Sequence, residues 1–397
     1  MRSVFSERVL VDGEGIVPAA VVIADGQIAE VRPGQQPAGA ADLGDLLLMP
    51  GLVDVHGDSF ERQLMPRPGL LVDPVVALFD TDSQLLASGI TTAFHGISWS
   101  WESGLRSFAT GRRWIEASIA QRDRLGADHR VHLRFEAYAK EGVDEAVAMI
   151  VGGRIGLLAF NDHTPSMLAR FDDEVALTPW AQRAQVTVAA LREQLVAVRL
   201  GATALAGSVH RLIAAARAAG VPTLSHDDRD RAQRQSWRRR GIGICEFPLR
   251  AEVAADAAAH GEAVVAGAPN IVRGGSHTGW VAAAELVANG HCTALASDYW
   301  YPSLLQAPWR IARDGILPLD RAILLATAGP AALAGLSDRG RIRPGQRADL
   351  ICVDDRAAVP RVAATWVNGR MVFQGMAAGL GPVAPSGLRA PRLRAAG

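Results

Sequence analysis

The sequence predicts an α/β protein, a (β/α)8 TIM-type barrel carrying a small β-sandwich domain built from both termini. Three observations carry this expectation. The centre of the chain alternates short apolar, β-branched runs with alanine-rich stretches of helical period, the pattern of a parallel sheet with crossover helices. Eight such runs stand at 48–56, 90–95, 131–137, 155–161, 221–225, 243–247, 263–268 and 293–297, the number that closes a barrel. Both ends read instead as short strands joined by turns, and 397 residues suffice for one barrel and a small second domain.

In chain order, runs at 8–11, 19–24 and 28–31 are punctuated by Asp12-Gly13 and Asp25-Gly26, which are hairpin-turn pairs. The far end mirrors them with 347–353, 363–367 and 370–373, the last two joined by Asn368-Gly369. Residues 1–48 and 340–376 are therefore expected to form the small domain and 49–339 the barrel. Residues 377–397, rich in Gly, Pro, Ala and Arg, read as a flexible tail. Between the barrel strands, 207–219 and 252–260 are expected helices.

Composition narrows the function. With 49% hydrophobic residues the chain can bury a full core, and 41 basic against 41 acidic side chains give no net charge to draw it to nucleic acid or a membrane surface. The three cysteines, Cys245, Cys292 and Cys352, form no Cys-x-x-Cys and are odd in number, which argues against a disulfide framework. The opening MRSVFSERVLVDGEG lacks a signal-peptide apolar stretch, and no run reaches the roughly 18 apolar residues of a membrane span, so a cytoplasmic protein is expected. A local basic run, Arg229, Arg231, Arg234, Arg238, Arg239 and Arg240, reads either as a solvated helix face or as a clamp for an anionic substrate.

The chemistry lies at the strand exits, where barrel sites gather. The first strand ends in His56-Gly57-Asp58, and residues i and i+2 of an extended chain share a face. An imidazole beside a carboxylate suits a borderline divalent ion such as zinc, manganese or iron. The later runs offer His95, Glu136, Asn161-Asp162-His163, Ser225-His226-Asp227-Asp228, Glu246 and Ser297-Asp298-Tyr299. Polar ligand types at nearly every exit of an apolar barrel point to a metal centre. Many two-metal hydrolases of this layout bridge their ions with a carboxylated lysine. Here the one lysine is Lys140, four residues past Glu136, so Glu136 is the expected bridging anion and Lys140 the fallback.

The strand with His56-x-Asp58, Asp298, and the stretches GRIRPGQRADL (340–350) and VNGR (367–370) resemble the amidohydrolase superfamily. More narrowly, PGLVDVHGDSFERQLMPRP (50–68), ASGITT (87–92), HLRFE (132–136), NDHTP (161–165), SHDD (225–228), EFP (246–248), GAPNIVRGGSHTGW (267–280) and SDYWYPSLL (297–305) resemble the diphosphatases of phosphonate metabolism, in the carbon–phosphorus lyase pathway. The resemblance implies two divalent ions held by His56, Asp58, Glu136, His163 and His226, with Asp298 as ligand or general base and Glu246 and His277 in reserve. It implies hydrolysis of a phosphoanhydride of α-D-ribose 1-methylphosphonate 5-triphosphate, or of a related ribosyl triphosphate, releasing diphosphate.

For such a substrate, Arg273-Gly274-Gly275-Ser276-His277 offers a cation, two permissive glycines and a hydroxyl. The stretch reads as an oxyanion cradle or as a tight turn needing glycine. Arg62 and Arg67 are expected to hold outer phosphates. The expected partners are a small anionic molecule and a second copy of the chain in a homodimer. Two other readings stay open: an amidohydrolase, deaminase or lactonase acting on a C–N or ester bond, and a non-catalytic scaffold.

Overall fold

The computed structural model describes residues 2–200, 205–276 and 279–375; His277 and the 377–397 tail lie outside them. Two eight-stranded sheets organise these residues. The first is mixed and comes from both ends of the chain. It takes β1 (Arg2–Val11), β2 (Gly15–Ala24), β3 (Gln27–Pro33), β4 (Ala41–Asp42) and β5 (Leu47–Pro50) from the start. The second is wholly parallel: β6 (Leu52–Gly57), β7 (Ile90–Trp99), β8 (Asp128–Glu136), β9 (Leu157–Asn161), β10 (Thr223–His226), β11 (Ile244–Glu246), β12 (Ala263–Gly267) and β13 (Ala294–Ala296). Then β14 (Leu350–Asp354), β15 (Arg361–Val367) and β16 (Arg370–Gln374) return to the first sheet, whose order is β16-β15-β14-β5-β1-β2-β3 with β4 beside β1. No helix of the described residues is long and apolar enough to cross a membrane.

The expected strand at 48–56 is two strands, divided at Pro50-Gly51. β5 pairs with β1 and β14, whereas β6 pairs with β7. Gly51 donates its amide to Asp349 O (2.9 Å) and passes so close to Thr91 that a Cβ would collide with that side chain. One apolar run thus serves both sheets, and hydrophobic periodicity cannot register the switch.

The parallel sheet closes through β6 and the exit of β13. Asp58 N–H donates to Asp298 O (2.7 Å) and Asp298 N–H to His56 O (2.9 Å), which abolishes the sheet edge. Inside, Val55, Phe94, Leu157, Ala159, Leu224, Ile244, Val265, Ala294 and Ala296 pack together. Outside, Ile97, Trp99, Leu133 and Phe135 meet Trp114 and Ile115 of helix Phe108–Ala120. Alternation therefore turns Val131, Leu133 and Phe135 of β8 outward and leaves His132, Arg134 and Glu136 facing in.

A buried clasp ties helix Pro74–Ala87 to the start of β8. Asp82 accepts the amides of Gly126 and Ala127 (2.9 Å each) and a ring N–H of His129 (3.0 Å). Burial by itself raises the Asp82 carboxyl, but His129 and the two amides hold it below its ordinary value. A depressed folded pKa contributes stability that is complete above the unfolded value, about 3.9, and is lost as pH falls through the folded one. Asp82→Asn is therefore expected to melt below wild type at pH 7, with the gap closing as melts are repeated down to about pH 3.

Candidate metal centre

The inward side chains of β6, β8, β10 and β11 and the exit of β13 converge at the C-terminal mouth of the barrel. His56 Nδ1 lies 2.8 Å from Glu246 Oε1, and His56 Nε2 lies 3.4 Å from Asp58 Oδ1. Glu246 Oε2 is 2.8 Å from His226 Nδ1. Arg134 donates from Nη1 to Asp58 Oδ2 (2.5 Å) and from Nη2 toward His226 Nε2 (3.3 Å). The imidazoles of His56 and His226 stack at 5.3 Å, and His132 meets His56 edge-on at 5.1 Å while bonding Val55 O through Nδ1 (2.9 Å).

Backbone strain marks the exits. Asp227 (φ 56°), Phe247 (φ 51°) and Asp298 (φ 54°) all stand in the left-handed region, rare for a ring as large as Phe. Each is held by a hydrogen bond that its backbone N–H donates to a neighbouring strand: Asp227 to Glu246 O (3.0 Å), Phe247 to Val265 O (2.9 Å) and Asp298 to His56 O. Such strain collects where side chains must be aimed.

The side chains fit a divalent ion. Buried polar atoms are ordinarily hydrogen-bonded, yet His132 Nε2 is buried without a partner, and His56 Nε2 and Asp58 Oδ1 face each other at 3.4 Å without an aligned bond. Among the described residues, three groups bring metal-ligating atoms within 4.8 Å of one another: His56 with Asp58 and Asp298, His56 with His226 and Glu246, and His163 with His226 and Asp227. The electrostatics ask for a cation. Burial opposes a charged His56, yet the carboxylates of Glu246 and Asp58 lift its pKa to about 10. Burial likewise raises Glu246, but His56, His132 and the bond from His226 hold it well below the usual carboxylate range. Asp298 is pushed up to about 6, first by burial and then by the charge of Asp58.

Of the residues expected from sequence, His56, Asp58, His226 and Asp298 meet at the centre, and the reserve residue Glu246 joins them. His163 stands at the rim, one-third exposed, with its ring 6.1 Å from that of His226. Glu136 does not stand between two ligand groups. Its Oε1 accepts the His163 amide (2.9 Å) and the Thr164 hydroxyl (3.3 Å), and its Oε2 takes His163 Nδ1 (3.0 Å). It orients His163, leaving Nε2 free, as carboxylates behind metal-binding imidazoles do. Lys140 pairs with Glu141 on the surface (3.8 Å).

His95 was expected at a strand exit, but β7 continues to Trp99. His95 therefore lies mid-strand on the outer face, against Phe60, Trp114 and His129. The basic run is neither of the two expected things as a whole. Arg234 is fully buried, and Arg238 pairs with Asp256 (2.6 Å) and Glu262 (2.7 Å), so these side chains are structural. Arg229 alone of the run acts near the mouth: burial and Glu136 raise the Asp162 carboxyl, and the Arg229 charge offsets only part of that rise.

Beside the centre opens a cavity of about 240 Å³ lined by Asp227, Asp298, Phe247, Arg273, Ser276 and Trp280. Arg273 and Ser276 thus reach it. Gly274 and Gly275 do not lend it their amides: these donate to Ile271 O (3.1 Å) and Asn270 O (3.0 Å) and end helix Ala268–Arg273, with Gly274 in the left-handed region (φ 84°). The tight turn, rather than an oxyanion cradle, accounts for both glycines. Arg62 stacks over Tyr299 (6.0 Å) and Arg67 sits on an exposed turn closed by Leu70; neither lines the cavity. Sequence reasoning offered Asp227 only as one of the exit residues and missed His132 and Arg134 as site residues. For the latter two the signal was present in Val131-His132-Leu133-Arg134-Phe135-Glu136, whose period-2 pattern places both with Glu136.

Comparison with known proteins agrees with this geometry. A model described as the amidohydrolase family matches residues 83–373. The α-D-ribose 1-methylphosphonate 5-triphosphate diphosphatase of Escherichia coli K12 is 32% identical over 334 residues, covering 82% of this chain and 88% of that protein. Among solved structures, N-isopropylammelide isopropylaminohydrolase from Burkholderia multivorans matches with a TM-score of 0.61 at 17% identity, over 94% of this chain and 99% of that one. The 5-methylcytosine deaminase of Klebsiella pneumoniae matches with a TM-score of 0.58 at 17% identity, over 96% and 100%. The two structures speak for the fold.

Proposed function

The chain belongs to the amidohydrolase family, and from that premise we propose that it is a metal-dependent hydrolase of a phosphoanhydride. Its proposed substrate is α-D-ribose 1-methylphosphonate 5-triphosphate or a related ribosyl triphosphate, cleaved to release diphosphate. The observation that carries the reaction is the position of Asp298, which belongs both to the His56–Asp58 ligand group and to the wall of the cavity that Arg273 lines. The identity to the diphosphatase, spread over most of both chains, supports the substrate.

His56, Asp58 and Asp298 would hold a divalent ion, with His226 and Glu246 beside them. Such an ion supplies a Lewis acid that brings the pKa of a water toward neutrality. Asp298 takes up the proton of the attacking water, from its place at the wall of the cavity beside His56 and Asp58. Arg273 and Ser276 offer a charge and a hydroxyl to phosphoryl oxygens as negative charge builds there.

The test is ³¹P NMR of the metal-loaded protein with α-D-ribose 1-methylphosphonate 5-triphosphate. A new diphosphate signal is expected, with Asp298→Asn slower by about 10²–10⁴-fold, the usual range for a lost acid–base group. An unchanged spectrum at full metal loading would sink the phosphoanhydride reading. One observation favours a second reading, hydrolysis of a C–N or ester bond: Phe247 and Trp280 make part of the cavity apolar and aromatic, which suits a planar ring. Ammonia release from cyclic amides and amidines, without phosphorus chemistry, would establish it.

A further inference from the structure

We infer that Arg134 stands in the place of a second cation, so that the centre takes one divalent ion, between His56, Asp58 and Asp298, instead of a pair. The inference rests on the reading of this site as a metal centre.

The argument is one of lone pairs. A guanidinium can only donate and an ionised carboxylate can only accept. His226 Nδ1 faces the carboxylate of Glu246 at 2.8 Å, which turns Nε2 toward Arg134 and Asp227. Nε2 lies 3.3 Å from Arg134 Nη2 and 3.5 Å from Asp227 Oδ2, so a group that can only donate stands against it. The same guanidinium takes Asp58 Oδ2 through Nη1 at 2.5 Å. The two atoms that a second ion would need in order to join His163 and Asp227 to the centre are therefore already committed. Asp58 Oδ1 and His56 Nε2, which make no aligned bond, lie on the other side with Asp298 and suffice for a single ion.

Arg134 is not free to swing away. In the amide orientation that satisfies both groups, Asn161 Oδ1 accepts from Arg134 Nε (3.1 Å) and Nη2 (3.2 Å). The stem passes so close to Gly96 that a Cβ there would lie 3.1 Å from Arg134 Cδ. The side chain is 4% exposed, and its charge would repel a second dication strongly in so buried a setting. Arg134 is in this sense a positioning residue: it turns Asp58 so that Oδ1 faces His56.

The experiment loads the apo-protein with excess Mn²⁺, removes unbound ion by gel filtration, and reads metal per chain by mass spectrometry together with the electron paramagnetic resonance spectrum. Wild type is expected to retain one ion per chain with an uncoupled spectrum. Arg134→Met keeps most of the stem's bulk and is expected to take up a second ion with an exchange-coupled spectrum, whereas Arg134→Lys stays at one. Two coupled ions in wild type would overturn the inference and leave the metal centre standing; no retained ion would overturn both. A folded Arg134→Met that still holds one ion would show that the guanidinium is not what excludes the second. Should Arg134→Met not fold, the wild-type count decides.

Discussion

Arg234→Met is expected to lower the unfolding free energy by about 3–5 kcal/mol, the cost of leaving a buried charge partner uncompensated. Arg234 is fully buried between the C-terminal end of β10 and the start of β11. Its Nη1 donates to Ser225 Oγ (2.6 Å), Asp228 Oδ2 (3.2 Å) and Ile244 O (3.3 Å), Nη2 donates to Ile242 O, and Nε pairs with Glu262 Oε2 (3.1 Å). Methionine fills much of the volume but leaves buried Asp228 with only the Ser225 hydroxyl and the Cys245 thiol, Glu262 with Arg238 alone, and two carbonyls without their guanidinium donor. Urea unfolding followed by circular dichroism measures the loss; a change under 1 kcal/mol would contradict the account. Ser225 and Asp228 flank His226, so the same substitution is expected to weaken metal retention.

Gly96→Ala is expected to cost about 100-fold in metal affinity, the upper range for a change that disturbs ligand orientation. Gly96 faces inward from β7, and a Cβ built on it would overlap Asp58 Oδ1 and lie 3.4 Å from His56 Nε2. The glycine is not required by its own backbone, since it is absent from the positive-φ positions. What it leaves is room for the ligand atoms. The variant is therefore expected to fold, with near-ultraviolet circular dichroism like wild type, while competition against a chelator shows the lost affinity. Unchanged affinity would remove Asp58 and His56 from the metal centre.

Much of the architecture was legible in order along the chain because strand periodicity is a local property. The eight apolar runs became β6 to β13, and the Gly-punctuated ends became the mixed sheet. The polar exits were legible too, since a carboxylate or imidazole at the end of an apolar strand interrupts a simple pattern. Direction was not. His95 and Glu136 both looked like exit residues, yet His95 lies four residues short of the end of β7 and faces outward because its neighbour Phe94 faces in, and Glu136 serves His163.

By itself, the sequence determined the fold class, the succession of strands along the chain and the supply of metal-ligating side chains, all of which depend on residue type and spacing within a few positions. Only the tertiary structure decided which of those side chains meet. Ser297 N–H donates to Asp54 Oδ1 from 243 residues away, and Asp298 bonds His56 and Asp58 alongside it, so the centre exists only once the barrel is closed. The same closure brings Arg134 of β8 between Asp58 of the first exit and His226 of the fifth, a juxtaposition set by barrel geometry. The switch of one apolar run between two sheets at Gly51 was likewise decided by contacts with Asp349 and Thr91, which lie far from it in the chain.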